Sequence, residues 1–202
     1  MWNSDAIRSE YERVRAEVGP KVTVVVATKY VPLEAMQALA DAGIEVVGEN
    51  RAQDLVAKHA RFGDVFRWHF IGRLQSRKAP LVSTVCELVH SLDSVSAARR
   101  LEVPALVEVN LSGEETKSGV TPGRLGAFLA EVAGAGVDVR GLMTMPPLTD
   151  EPERSRRYFR ELALLAGEYA LPELSMGTTQ DYRVAVEEGA TFVRVGSGLF
   201  HR

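Results

Sequence analysis

Residues 22–30 read V-T-V-V-V-A-T-K-Y. Val22 to Ala27 is a β-branched apolar run without polar alternation, the pattern of a strand buried on both faces as in parallel sheets. It ends on Lys29, so the strand presents an amine at its carboxyl end.

Working outward, the preceding stretch 3–18 carries Ile7, Tyr11, Val14 and Val18 at spacings of four, three and four. That is one face of a 3.6-residue period, and Gly19-Pro20 stops it. Downstream the pattern repeats. Apolar strands are predicted at 44–48, 68–72, 86–90, 103–111, 139–144, 174–176 and 192–195, with helical stretches between them. Asn50, Thr121-Pro122 and Thr179 read as helix caps. Eight strands alternating with helices predict an α/β fold, a single (β/α)8 TIM-type barrel formed as one domain over residues 1–202. An open doubly wound sheet is the alternative. No helix is predicted after the eighth strand, and the N-terminal helix is the spare element expected to cover that end of the barrel.

Composition narrows the function. The chain of 202 residues is 46% hydrophobic and 25% charged, with a formal net charge of −3. This is globular composition, and nothing in it draws the chain to nucleic acid or an anionic membrane. Arg154, Arg156, Arg157 and Arg160 interleave with Glu153 and Glu161, which reads as a solvated helix face. A lone cysteine, Cys86, makes no internal disulfide and no cysteine-based metal site, which fits a reducing compartment. The opening M-W-N-S-D-A-I-R lacks a signal-peptide core, and no apolar run approaches the ~20 residues of a membrane span. The expected location is cytoplasmic.

In such barrels chemistry sits at the carboxyl ends of the strands. There the sequence places Lys29, then Glu49 and Asn50, then Met143 and Thr144, then Gly177-Thr178-Thr179, then Gly196-Ser197-Gly198. The loops after strands seven and eight commonly bind phosphate, through close backbone approach at glycine and hydroxyl donors. Arg194 lies mid-strand among apolar residues. It requires either an ion-pair partner, such as Glu187 or Glu188, or an inward ligand for its guanidinium. Lys29 reads as an amine nucleophile or as a lysine reaching solvent. Lys117, in a polar loop, reads as solvated. His59, His69, His90 and His201 have no metal-ligand spacing, and His69 and His90 read as buried, hydrogen-bonded strand residues. Dinucleotide, P-loop and nucleophile-elbow motifs are absent.

Several strings, in chain order, resemble one family. They are V-A-T-K at Lys29, G-E-N at Gly48–Asn50, W-H-F-I-G-x-L-Q at Trp68–Gln75 and H-S-x-D at His90–Asp93. V-N-L-S-G-E-E-T-K-S-G at Val109–Gly119, G-L-M-T-M at Gly141–Met145, L-S-M-G at Leu174–Gly177 and V-R-V-G at Val193–Gly196 complete the set. Together they resemble the pyridoxal phosphate homeostasis (YggS/PROSC-type) proteins. The resemblance implies a fold-type III barrel, like the N-terminal domain of alanine racemase, that binds pyridoxal 5′-phosphate (PLP). It implies a Schiff base at Lys29 and Arg194 at the pyridine nitrogen. Gly177, Thr178, Thr179, Gly196 and Ser197 would hold the phosphate, and Asn50 and Met143 would line the ring. Three departures stand out: Thr178-Thr179 in place of the usual Met-Ser, Arg73, and the ending S-G-L-F-H-R.

The expected function is PLP carriage and homeostasis without strong catalysis. PLP-accepting apo-enzymes are the expected partners, with neither nucleic acid nor membrane, and the chain is expected to be a monomer. An arginine at the ring nitrogen cannot hand over its proton, which weakens the electron sink. Two-base racemisation also needs an acid/base group opposite the lysine, which related racemases take from a second domain not seen in this sequence. The alternatives are a PLP-dependent racemase-like enzyme and a cofactor-free Schiff-base aldolase.

Overall fold

The computed structural model describes residues 2–114 and 116–200, apart from the side chain of Ser197. His201 and Arg202, the end of the departing C-terminal string, lie outside the described residues. Eight parallel strands close into a barrel in chain order. They are β1 (Thr23–Ala27), β2 (Val46–Glu49), β3 (Arg67–Phe70), β4 (Leu88–Leu92), β5 (Ala105–Glu108), β6 (Val139–Met143), β7 (Glu173–Thr178) and β8 (Phe192–Val195). The ring is closed by β1 on β8, with Val25 opposite Arg194. Closure rules out the open doubly wound sheet.

The helices are α1 (Ser4–Val18), α2 (Met36–Asp41), α3 (Ala52–Phe62), α4 (Ala79–Ser83), α5 (Val95–Ala98), α6 (Pro122–Gly134), α7 (Arg156–Glu168) and α8 (Tyr182–Glu187). Asn3 caps α1, its side chain accepting from the N–H groups of Asp5 and Ala6. The predicted face of α1 is the buried one: Ile7, Tyr11, Val14 and Val18. This helix packs against α2, α8 and the turn Ser197–Leu199. It thereby takes the place in the helix layer left open after β8. Glu17 fastens it there, accepting from both Arg183 and Tyr182 of α8.

Apart from β8, the strands differ from the sequence expectation by one or more residues at an end, and three of these shifts are informative. Cys86 was expected to open strand four, but its N–H donates to Val82 O at 3.0 Å and closes the end of α4. Strand five ends at Glu108, and Val109, whose N–H still donates to Met143 O at 2.8 Å, also bridges Val120 in the loop that follows. β7 runs on to Thr178, beyond the expected Met176.

Two apolar zones result. The outward-facing side chains Val24, Val26, Val193 and Val195 pack under the helices in the main core. Inside the barrel Leu88, Leu106, Met143 and Phe192 form a separate cluster. This inner plug makes the barrel a filled core, as expected of eight strands. Polar side chains stack above it toward the carboxyl ends of the strands.

Candidate functional site

The carboxyl ends of the strands surround a cavity of about 1110 Å³. Of the residues singled out in the sequence, Lys29, Asn50, Met143, Thr178, Thr179, Arg194 and Gly196 all line it. Gly177 is not on that lining. Its φ is +88°, and a Cβ there would lie 2.6 Å from Ala185 Cβ and 2.9 Å from Tyr182 Cα. Glycine is needed at 177 so that α8 can pack close against β7 in a left-handed backbone conformation.

Lys29 stands exposed at the mouth, its Nζ 4.9 Å from the Tyr30 ring centroid. Tyr30 is itself 73% exposed. A cation–π contact in such a setting contributes only ~0.5–1 kcal/mol, so the amine is lightly held.

The residue before Lys29 is fixed much more firmly. Thr28 Oγ1 donates to Glu49 Oε1 at 2.6 Å, and Lys58 Nζ donates to Thr28 O at 2.8 Å and to Glu49. Glu49 is fully buried and Lys58 nearly so. This ion pair lies between the sheet and α3, outside the cavity. Glu49, expected near the site, therefore anchors the strand end and does not line the pocket. Its neighbour Asn50 does. Asn50 was expected to cap a helix, but α3 begins at Ala52 with Arg51 at its cap position. Its side chain is thereby available to the cavity.

Arg194 forms the floor. It is 6% exposed and points into the barrel. Its guanidinium donates to Ser175 Oγ, to Thr144 O at 3.0 Å and to Met145 Sδ at 3.0 Å. The ion pair with Glu187 or Glu188 is not formed, because Arg156 holds both of those carboxylates at the surface and Arg160 also holds Glu188. Guanidinium carries five N–H donors, so two remain for a ligand. Burial brings the Arg194 pKa down to about 10, opposed by Glu108 and Asp181. At neutral pH the group is still a cation.

Beneath it, Ser175 Oγ lies 2.7 Å from His90 Nδ1, and His90 Nε2 lies 2.9 Å from His69 Nδ1. Both histidines are buried, as the sequence predicted. Burial pushes the His69 pKa down to about 3 and that of His90 well below its ordinary value.

Around the expected phosphate loops the structure corrects one point. Thr179 does not cap α8. The helix starts at Tyr182, and Thr179 sits in the turn before it. Asp181 ties this turn, accepting from Thr178 N at 2.7 Å and Thr178 Oγ1 at 3.1 Å. Thr179 Oγ1 accepts from Gly196 N at 3.2 Å and links the two loops. The N–H groups of Thr179 and Gln180 donate to no partner among the described residues.

The fourth wall was missed in the sequence. Glu108, Asn110, Lys117 and Ser118 line the cavity from the end of β5 and the loop after it. Burial raises the Glu108 carboxyl above the usual range, partly offset by a hydrogen bond from Ser118 Oγ at 3.1 Å. Lys117, expected in solvent, pairs with Glu114 at 3.4 Å while lining the pocket. The available signal was the acid in V-E-V-N, an ionisable residue within a strand. No grouping of metal-binding side chains occurs among the described residues. Nor is any described helix long and apolar enough to cross a membrane.

Comparison with known proteins places this geometry. Residues 2–201 match the family model described as alanine racemase, N-terminal domain. A pyridoxal phosphate homeostasis protein of Aquifex aeolicus is 42% identical over 191 residues, covering 86% of this chain and 84% of that protein. Its counterpart in Deinococcus radiodurans is 41% identical over 162 residues, with 76% of each chain covered. The PipY structure of Synechococcus elongatus with PLP bound superposes with a TM-score of 0.88 at 32% identity, covering 96% of this chain and 100% of that one. Its form without PLP gives 0.89. On this likeness over nearly the whole chain, the protein belongs to the pyridoxal phosphate homeostasis family, which shares its barrel with the N-terminal domain of alanine racemase.

Proposed function

We propose that residues 1–202 act as one unit that binds pyridoxal 5′-phosphate, holds it as a Schiff base on Lys29, and serves as a carrier and regulator of the cofactor. One observation carries the reading: an amine and a buried guanidinium, Lys29 and Arg194, line the same cavity from adjacent strands, with Thr178, Thr179 and Gly196 beside them. The donors fit the group. Lys29 suits an aldehyde. The spare N–H donors of Arg194 suit a ring nitrogen that accepts, and the N–H groups of Thr179 and Gln180 suit a phosphate. The nearby Asp181 carboxylate works against a phosphate, so hydroxyls and amides, with no helix dipole of consequence from a six-residue α8, would hold it. Asn50 and Met143 would flank the ring.

When bound, the cofactor supplies a reactive aldehyde and an electron-withdrawing ring. Arg194, still protonated at neutral pH, would hold the ring nitrogen by a hydrogen bond without giving up its proton. That keeps the ring a weak electron sink and favours storage over catalysis. PLP-accepting apo-enzymes are the proposed recipients. Relatives named as PLP homeostasis proteins, and the PLP-bound PipY structure, support the same assignment.

Titration with PLP should give an absorbance band that borohydride reduction fixes as an adduct on the Lys29 peptide. Lys29→Ala should abolish the adduct and keep the fold. A wild-type chain that, with excess PLP, shows no band beyond that of free PLP and no borohydride-fixed adduct rejects the reading and favours a cofactor-free Schiff-base aldolase. Racemase-type catalysis is the second reading, because Glu108 offers a titratable group on the cavity wall. Turnover of D- or L-alanine by the purified chain would establish it.

A further inference from the structure

The polar residues under the cavity floor form a single directional chain. Guanidinium only donates, so Ser175 Oγ must accept from Arg194. The serine hydroxyl then has one proton to place. Its other partner among the described residues is His90 Nδ1, which therefore accepts it. A neutral imidazole carries one N–H, so His90 holds its proton on Nε2 and donates to His69 Nδ1. His69 in turn keeps its proton on Nε2. Desolvation supports neutrality of both rings. Phe192 packs edge-on against each imidazole, 5.9 Å from His69 and 5.2 Å from His90, and holds them in place. Ser175, His69 and His90 are all buried.

We infer that Ser175 and His90 are positioning residues for Arg194, with His69 as the terminal acceptor of the chain that fixes the guanidinium at the cavity floor. The inference rests on the PLP reading for what Arg194 faces, and not for the chain itself. Its physical sense lies in the partners chosen. A carboxylate in place of Ser175 would also fix the guanidinium, but would cancel its charge. The hydroxyl, the Thr144 carbonyl and the Met145 thioether are neutral acceptors. They fix the plane of the group and leave its positive charge for the ligand. A serine alone would leave its hydroxyl rotor free; His90 orients it, and His69 selects the tautomer of His90.

The test is nitrogen-15 NMR on the full chain labelled at arginine and histidine, run with a PLP titration. In the wild type, the Nη protons of Arg194 should give separate, slowly exchanging signals, and both histidines should be neutral with the proton on Nε2. Ser175→Ala should merge the Arg194 signals, shift the absorbance of bound PLP and raise the Kd about tenfold, the loss expected for one hydrogen bond to a charged group. His90→Asn, whose amide oxygen replaces Nδ1 as acceptor, should retain the wild-type spectrum. A purely packing role would lower the melting temperature and leave these signals alone.

Two results overturn the inference. One is a folded Ser175→Ala chain with wild-type PLP affinity and spectrum. The other is a wild-type His90 protonated on Nδ1, which needs no variant to fold. Failure of the wild type to bind PLP removes the cofactor reading alone, because the NMR signals still judge the Arg194 clamp.

Discussion

Lys58 on α3 donates to Glu49 at the end of β2, forming an ion pair buried between sheet and helix layer. The same ammonium donates to the carbonyl of Thr28, directly before Lys29. A helix residue thus fixes the backbone from which the cavity amine projects. The second carboxylate oxygen of Glu49 has no hydrogen-bond partner among the described residues.

Removing one partner of this pair strands a buried charge, which costs about 3–5 kcal/mol in comparable pairs. Lys58→Met and Glu49→Gln are each expected to be destabilised on that scale in urea denaturation. The double variant Lys58→Met/Glu49→Leu should recover a substantial part of the loss. A single variant as stable as the wild type would show that the pair contributes nothing.

Gly177→Ala combines a disfavoured positive φ with a Cβ forced against Ala185 and Tyr182. The expected loss is at least ~2 kcal/mol, from backbone strain and overpacking together. Lys29→Ala, at an exposed position, should change stability by only about ±0.5 kcal/mol. Thermal melts of the two variants side by side test the contrast.

Stability should fall with acid before most carboxylates titrate. Unfolded histidine binds a proton near pH 6.5, whereas folded His69 does so only at about 3 and His90 well below its ordinary value. Between those limits the unfolded chain holds more protons, so stability is lost as pH falls, by up to ~1.4 kcal/mol per pH unit for each ring. Glu108 and Asp93, raised by burial, act in the opposite sense as they protonate. Urea midpoints at about pH 7 and about pH 5 should differ clearly, and His90→Asn should lessen the difference. Equal midpoints that are also unmoved by His90→Asn would mean that the rings are not held neutral by burial in the folded protein.

Cys86 is 5% exposed, and burial pushes its thiol up to about 12. Disulfide reagents should label it slowly in the native chain and at once in denaturant. Rapid native labelling would reveal opening of the α4–β4 corner.

Local sequence determined a good deal of this protein. Eight apolar runs at regular intervals dictate a wound parallel sheet, because strands covered on both faces need no polar alternation. The spacing of Ile7, Tyr11, Val14 and Val18 fixes the buried face of α1. Lys29 stood out as an amine ending an apolar strand, and Arg194 as a charge with no local partner.

Tertiary structure decided which side of each strand is the inside. In a strand apolar on both faces, neighbours such as Glu49 and Asn50 point opposite ways, and composition does not say which faces the barrel axis. Closure of β1 on β8 settles it, sending Glu49 to Lys58 and Asn50 to the cavity. The start of α8 was likewise hidden, because Asp181 outcompetes Thr179 for the turn through its bond to Thr178 N–H. The link from Ser175 to His90 spans 85 residues of chain. No local pattern encodes it, since each partner is defined only by the strand that the barrel brings opposite.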